Sequence, residues 1–209
     1  MTKRRVFIAI NLPEKIKKRL VEYRERCDIL FTSQNLLVRQ SFSNGGGGGW
    51  PVRWTKKDSL HLTLVFIGYA SNEQVLEICR IVREVAGKTE SFMLRFKKII
   101  PGPIGKPPRM VWVEGEKSEE LIDLKGQIEE ALLNVDSGLS CKDYKPFTPH
   151  MTLARVNQTN KSLPENFDWA SIEESFNFQV PVQSIEIMES DLRSDGAEYV
   201  VLESCPLGE

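Results

Sequence analysis

Two tetrapeptides, His61–Leu64 (HLTL) and His150–Leu153 (HMTL), repeat one pattern of histidine, apolar residue, threonine and apolar residue. They contain both histidines of the 209-residue chain. Because side chains alternate between the two faces of a β-strand, each strand would place its histidine and threonine on one face and its apolar residues on the other. We therefore expect an early and a late strand that each present an imidazole and a hydroxyl group above a hydrophobic core.

The pairing of the two motifs carries more weight than either motif alone. A single histidine in a strand is more often a structural residue than a catalytic one. Here both histidines share one frame, so we interpret His61 and His150 as a catalytic pair that meets in one cleft. Imidazole changes its protonation state near neutral pH, and an acid and a base with two hydroxyl donors, Thr63 and Thr152, suit phosphoryl chemistry without a metal.

Charge, hydropathy and cysteine spacing limit the classes of function. The formal net charge of −1 argues against nucleic-acid binding by bulk charge, so a nucleic-acid partner would need a local basic cleft. No apolar run approaches the roughly 20 residues that cross a bilayer, and we expect no membrane association. The four cysteines lie far apart without a Cys-x-x-Cys pair, which indicates free thiols in a cytoplasmic protein rather than a zinc site.

Hydrophobic periodicity predicts alternating strands and helices within a single domain of residues 1–209. Helices are expected to begin at Pro13, after the capping box of Ser71 and Gln74, and at Ser118. Strands are predicted over residues 6–10, 52–54, 60–67, 92–96, 109–114, 150–156, 185–190 and 199–204. This order of elements, which repeats once, predicts an α+β protein of two related lobes.

Two segments break the periodic pattern. Residues 29–51 contain five consecutive glycines, Gly45–Gly49, and are predicted to be a flexible insertion within the domain. A phosphate-binding P-loop is disfavoured there because the Gly-Lys-Ser/Thr ending is missing. The polar stretch of residues 157–184 is expected to be irregular.

The motifs and their surroundings resemble the two-histidine (2H) phosphoesterase superfamily and, within it, the RNA 2′,3′-cyclic phosphodiesterases, also called the 2′-5′ RNA ligase family. The matching blocks are Arg5–Pro13, Arg53-Trp54 followed by Leu60–Gly68, Arg109–Val113 and Phe147–Arg155. They cover most of the chain in the family's order. The glycine-rich insertion and residues 157–176 depart from the pattern and leave the size of the substrate open.

The resemblance implies a fold and an activity. It implies two lobes of antiparallel sheet with flanking helices around a central cleft, and hydrolysis of 2′,3′-cyclic phosphate ends of RNA, such as tRNA fragments, to 2′-phosphates. By the family's usual assignment, His61 would be the acid and His150 the base. Thr63 and Thr152 would bind the non-bridging phosphate oxygens. No cofactor and no metal are implied, and by microscopic reversibility the same site could form a 2′-5′ linkage.

Three further residues beside the motifs are candidates for substrate contacts. Arg155 lies on the opposite phase from His150 in a regular strand, so a bulge would have to turn it into the cleft. It would then clamp a phosphate, and otherwise it would form a surface salt bridge. Trp54 and Phe147 could each stack on a base or pack in the core.

Other functions stay open at this point. An RNA- or nucleotide-binding module could use the same scaffold without turnover, and a related enzyme could act on 2′-5′ oligonucleotides or a small cyclic phosphate. A metal-dependent hydrolase is disfavoured because neither motif contains an acidic ligand. We expect a monomer.

Overall fold

The structure, a computed structural model, describes residues 3–33, 52–134, 146–156, 167–193 and 196–208. The helices are α1 (Glu14–Ser33), α2 (Asn72–Lys88) and α3 (Glu119–Leu133). The strands are β1 (Arg4–Asn11), β2 (Val52–Trp54), β3 (His61–Ala70), β4 (Phe92–Gly102), β5 (Met110–Gly115), β6 (His150–Val156), β7 (Glu174–Val182), β8 (Ser184–Arg193) and β9 (Gly196–Pro206). None of the helices in these segments is long and apolar enough to span a membrane.

The strands form one antiparallel sheet that divides into two halves of four strands. Its order is β7-β4-β5-β6-β3-β1-β8-β9, and the short β2 pairs with β6 outside this path. The first half-sheet contains β3, β1, β8 and β9, and the second contains β6, β5, β4 and β7. They meet where Leu62 of β3 pairs with Met151 of β6. The predicted α+β fold with two related halves is confirmed.

The apolar positions of both histidine motifs belong to the main hydrophobic core. Leu62 and Met151 are fully buried there, and Leu64 and Leu153 are nearly so. The predicted core faces of α2 and α3 pack into the same cluster. The capping box is also present: the amide of Ser71 donates to the side chain of Gln74, and the amide of Gln74 donates to the hydroxyl of Ser71.

Helix α1 is longer than the sequence analysis predicted. The flexible insertion was expected to begin at residue 29, but the helix continues to Ser33. The cause is the apolar stripe at spacings of three and four residues, Ile16, Leu20, Tyr23, Cys27 and Phe31, every member of which is buried. The remainder of the predicted insertion, residues 34–51 with Gly45–Gly49, lies outside the described residues.

Strand β7 lies in the segment that was predicted to be irregular, and that prediction was wrong. From Phe176 to Val182, apolar residues alternate with polar ones and with Pro181. Proline lacks an amide donor, but β7 is an edge strand of the sheet, where such a residue is tolerated. The alternation is a strand signal that the proline and the polar composition obscure.

Candidate active site

The two histidine motifs meet in a cleft of about 450 Å³ at the boundary between the half-sheets. His61 and Thr63 line it from β3, and His150 and Thr152 line it from β6. All four are only partly buried, whereas the apolar residues between them are buried in the core. The structure therefore brings the four motif side chains to one site.

Backbone carbonyl groups orient both imidazoles in the same way. Nδ1 of His61 lies 2.8 Å from the carbonyl oxygen of Ser59, and Nδ1 of His150 lies 2.7 Å from that of Thr148. A carbonyl oxygen can only accept, so Nδ1 is the donor in both rings. Nε2 is then the nitrogen that can exchange a proton with a ligand. In His61 it lies 3.1 Å from the hydroxyl oxygen of Thr63.

Neighbouring elements hold the chain that leads into each motif. The 3₁₀ turn Lys57–Ser59 precedes the first motif, and its Lys57 forms an ion pair with Glu14 at the start of α1. Before the second motif, the carbonyl of Pro149 accepts a 2.9 Å hydrogen bond from the amide of Gly115 at the end of β5. Each carbonyl group that orients an imidazole thus lies within two residues of a contact with another element.

A β-bulge follows each motif at the same position. The residue after each motif threonine has no partner in the ladder to the neighbouring strand, β1 in one half and β5 in the other. Two consecutive buried residues result, Leu64 and Val65 in β3 and Leu153 and Ala154 in β6. The bulge shifts the alternation by one residue, so the third residue after each threonine returns to the cleft face. These residues are Phe66 and Arg155.

The bulge therefore turns Arg155 into the cleft, as its position in the sequence required. Its guanidinium is exposed, and Nη1 lies 3.3 Å from the sulfur of Met110. No carboxylate of the described residues forms an ion pair with it. Its placement favours a contact with a bound phosphate over a surface salt bridge.

Aromatic rings surround the two imidazoles differently. His150 stacks on Trp112, with ring centroids 3.8 Å apart and an interplanar angle of 26°. His61 packs against both Phe7 and Tyr199, each 4.9 Å away between centroids, and the Tyr199 ring is edge-on. A cation is stabilised by the face of an indole more than by a phenyl ring, so Trp112 favours a protonated His150.

Burial lowers the pKa of both histidines. For His61 it lowers the pKa to about 4, and the nearby positive charge of Lys17 acts in the same direction. For His150 burial also lowers the pKa from its ordinary value of 6.5, and the charge of Arg155 contributes. Each ring is therefore neutral at pH 7 in the free protein, and a bound anion would favour its protonation.

Basic side chains dominate the charge of the cleft. The lining includes five cations, Arg5, Lys106, Arg109, Lys125 and Arg155, and one carboxylate, Glu129. That carboxylate forms an ion pair with Lys125. A chain with a net charge of −1 thus has a positively charged cleft, which is the local basic site that the composition required for a phosphate ligand.

The two candidates for base stacking have different surroundings. Phe147 lines the cleft, and Nζ of Lys125 lies 5.3 Å from its ring centroid. Trp54 is not among the lining residues: its indole donates a 2.5 Å hydrogen bond to Asp28 and packs edge-on against Phe31. Of the two alternatives for Trp54, the contacts with Asp28 and Phe31 favour packing of β2 against α1 over base stacking.

Several cleft residues were not identified from the sequence, among them Phe66, Trp112 and Tyr199. The Phe66 side chain is 57% exposed although it is apolar. A bulge after the first motif would have predicted this exposure, because Phe66 follows the first motif at the same distance at which Arg155 follows the second motif. Trp112 and Tyr199 lie on β5 and β9, and no local sequence signal places them beside the histidines.

Comparison with known proteins identifies the family. The model of the 2′-5′ RNA ligase superfamily matches residues 52–193, which include both histidine motifs. The chain belongs to this superfamily. The resemblance to the two-histidine phosphoesterases is thereby confirmed.

Two curated relatives match this chain over most of their own length. A Thermotoga maritima protein named RNA 2′,3′-cyclic phosphodiesterase is 28% identical over 205 residues, which cover 96% of this chain and 94% of that protein. An Aquifex aeolicus protein of the same name is 29% identical over 159 residues, which cover 75% of this chain and 82% of that protein.

Solved structures support the fold of the superfamily. A Thermus thermophilus protein, TT0787, superimposes with a TM-score of 0.70 at 23% identity and covers 98% of this chain and 99% of that one. E. coli LigT complexed with 3′-AMP superimposes with the same score of 0.70 at 21% identity over the whole of both chains.

We expect the replacement Gly102→Ala to destabilise the protein and disturb the second histidine. A Cβ atom at Gly102 would lie 2.4 Å from Cδ2 of Trp112, the ring on which His150 stacks. Overpacking of this kind costs roughly 1–3 kcal/mol. The free energy of unfolding in urea should fall by about that amount, and the near-UV circular dichroism should change.

The matched control is Gly126→Ala on the exposed face of α3. No atom lies within 4 Å of a Cβ at this position, and alanine favours a helix over glycine by up to about 1 kcal/mol. Gly126→Ala should therefore raise the stability. A Gly102→Ala protein with unchanged stability would contradict the close contact with Trp112.

Proposed function

We propose that the protein hydrolyses RNA 2′,3′-cyclic phosphate ends to 2′-phosphates by metal-independent acid–base catalysis. The observation that carries this proposal is the convergence of His61 and His150 from equivalent strand positions on one basic cleft. Superfamily membership and the names of the curated relatives support the substrate class. RNA ends of this kind, tRNA fragments included, are the proposed partners.

The reaction needs two proton transfers at one phosphorus. A base removes a proton from the attacking water, and an acid protonates the 3′ oxygen as it leaves. Two imidazoles on opposite sides of the phosphate supply both, and each transfer typically contributes about 10²–10⁴ to the rate. With a 5′-hydroxyl in place of water as the nucleophile, the same two proton transfers form a 2′-5′ linkage and release the 3′ oxygen as a hydroxyl.

The surroundings of the two rings favour His150 as the acid and His61 as the base. Trp112 stabilises an imidazolium at His150. Burial and the charge of Lys17 keep His61 neutral. This is the reverse of the assignment that the family resemblance implies.

The motif threonines and Arg155 bind the substrate phosphates. Thr63 and Thr152 line the cleft beside the histidines and can donate hydrogen bonds to the non-bridging oxygens, where charge concentrates. Thr63 then exchanges its contact with His61 for one with the phosphate. Arg155 adds a positive charge on the same face of β6.

Both catalytic groups come from one chain, so a monomer is sufficient for the reaction. No cofactor enters the scheme, and each proton transfer is assigned to a protein side chain. Within the described segments, no group of three or more histidine, cysteine, aspartate or glutamate side chains is placed to hold a metal ion.

The decisive experiment is hydrolysis of an RNA oligonucleotide with a 2′,3′-cyclic phosphate end in the presence of EDTA. We expect a 2′-phosphate product from the wild-type protein and a loss of turnover of about 10²–10⁴ in each of His61→Ala and His150→Ala. Near-normal turnover by either folded variant would refute the mechanism. Binding without turnover by the wild type would indicate a binding module instead.

A substrate with a better leaving group separates the two roles. A nucleotide p-nitrophenyl ester needs no protonation of its leaving group, so His150→Ala should recover activity on it. His61→Ala should not, because the attacking water still needs a base. The opposite pattern would restore the assignment implied by the resemblance.

The lowered histidine pKa values predict an acidic optimum for kcat/KM, which reports the free enzyme. The acid must be protonated, so kcat/KM falls as the pH rises through its pKa, which lies below 6.5 in either assignment. We expect the optimum below pH 6.5. The optimum for kcat should lie higher, because the bound phosphate favours both protonated rings. A kcat/KM optimum above about pH 7 would contradict the burial of the pair.

We expect Phe66 to stack on a base of the RNA, with Phe147 on the opposite wall. Stacking on an aromatic ring contributes roughly 1–3 kcal/mol, so Phe66→Ala should raise KM by about 5- to 150-fold. The control is Tyr69→Ala on the same strand. Tyr69 is 63% exposed and is not among the cleft-lining residues. Equal effects of the two variants on KM would exclude stacking at Phe66.

A further inference from the structure

Two arginines face each other across strands β2 and β6. Arg53 and Arg155 are direct partners in the antiparallel register. Directly opposite residues lie on the same face of a sheet, with Cβ atoms about 4.5–5.5 Å apart. Both side chains are exposed.

The shared face is the cleft face. Val52 is buried and Trp54 packs against the core, so Arg53 between them points to the other side of β2. Arg155 lines the cleft on that side. Arg53 itself is not among the lining residues, but Thr55, two residues after it, is.

Like charges at directly opposite positions destabilise a sheet. Two lysines of the second half-sheet do have carboxylate partners: Lys97 pairs with Glu116, and Lys98 with Glu114. No carboxylate of the described residues pairs with Arg53 or Arg155. A bound anion would turn this repulsion into two charge-assisted contacts.

A third guanidinium belongs to the same end of β6. Arg109 lines the cleft, and its carbonyl oxygen accepts a 2.9 Å hydrogen bond from the amide of Val156. This hydrogen bond holds Arg109, which precedes β5, next to Val156, the residue that follows Arg155. Backbone pairing therefore places three arginines from three separate segments beside the end of β6.

The arginines lie some way from the reacting phosphate. Arg155 follows Thr152 by three residues, so the backbone atoms of the two residues lie at most about 10 Å apart along the strand, at about 3.3 Å per residue. The histidines and threonines hold the cyclic phosphate at the centre of the cleft. The arginine pair is thus placed for a different phosphate of the same RNA.

We propose that Arg53 and Arg155, assisted by Arg109, form a second phosphate site, which binds the phosphodiester on the 5′ side of the terminal nucleotide. This inference rests on the proposed function and extends it by naming the group that selects oligonucleotides over mononucleotides. A cyclic mononucleotide has no phosphate to place there.

The test compares a cyclic mononucleotide, 2′,3′-cyclic AMP, with a trinucleotide that ends in a 2′,3′-cyclic phosphate. In Arg53→Gln we expect kcat/KM for the trinucleotide to fall about tenfold or more relative to that for the mononucleotide, since a charged hydrogen bond is lost. The slope of log kcat/KM against log salt should become shallower by about 0.7.

Two controls isolate the contact. Arg95→Gln removes an exposed arginine of β4, a strand that β5 separates from β6, and should leave the ratio unchanged. In a trinucleotide whose terminal linkage is an uncharged methylphosphonate, wild type and Arg53→Gln should have the same kcat/KM. Melting temperatures of both variants check that the fold is intact.

The remaining outcomes distinguish a failure of the second phosphate site from a failure of the proposed function. An unchanged ratio in folded Arg53→Gln, or an equal loss on both substrates, would overturn the second phosphate site while leaving the proposed function in place. A wild-type protein that hydrolyses neither substrate would overturn both.

Discussion

The pairing of Leu62 with Met151 is the contact on which the site depends. It joins the two half-sheets, and both residues are fully buried in the core. Each is flanked in its own strand by a histidine and a threonine, so the register at this point sets which imidazoles and hydroxyls face each other. A slip of one residue in either strand would send its histidine to the core side. The hydrophobic core and the catalytic geometry therefore depend on the same strand register.

The two halves of the cleft share a plan but differ in chemistry. Each has a histidine oriented by a carbonyl group, a threonine two residues later and a bulge after it. Beyond the bulge the first half is aromatic, with Phe66 near Phe7, and the second is cationic, with Arg155 beside Arg53. The RNA end proposed as the substrate has both a base and a further phosphate, so this asymmetry would fix the direction in which it binds to an otherwise duplicated site.

Much of this arrangement could be predicted from the sequence because it depends on local pattern. The alternation in the two motifs predicted which side chains share a face, and the apolar stripes predicted the helices. The prediction failed where a pattern was interrupted or where the contact is distant in sequence. Pro181 concealed the edge strand β7, and an apolar stripe carried α1 past its expected end. The stacking of Trp112 under His150 and the packing of Trp54 on Asp28 depend on strand order, which no local pattern encodes.

The two bulges separate the residues proposed for catalysis from the residues proposed to select the substrate. The histidine and the threonine before each bulge are the same in both strands, and the histidines are the groups proposed for the proton transfers, whereas the residue after each bulge is proposed only to contact the substrate. Substitutions at the later positions alter neither the register of the histidines nor the buried side chains between them. A protein built in this way can acquire a new preference for base or chain length through changes at two exposed sites. Its reaction would persist while its substrates diverge.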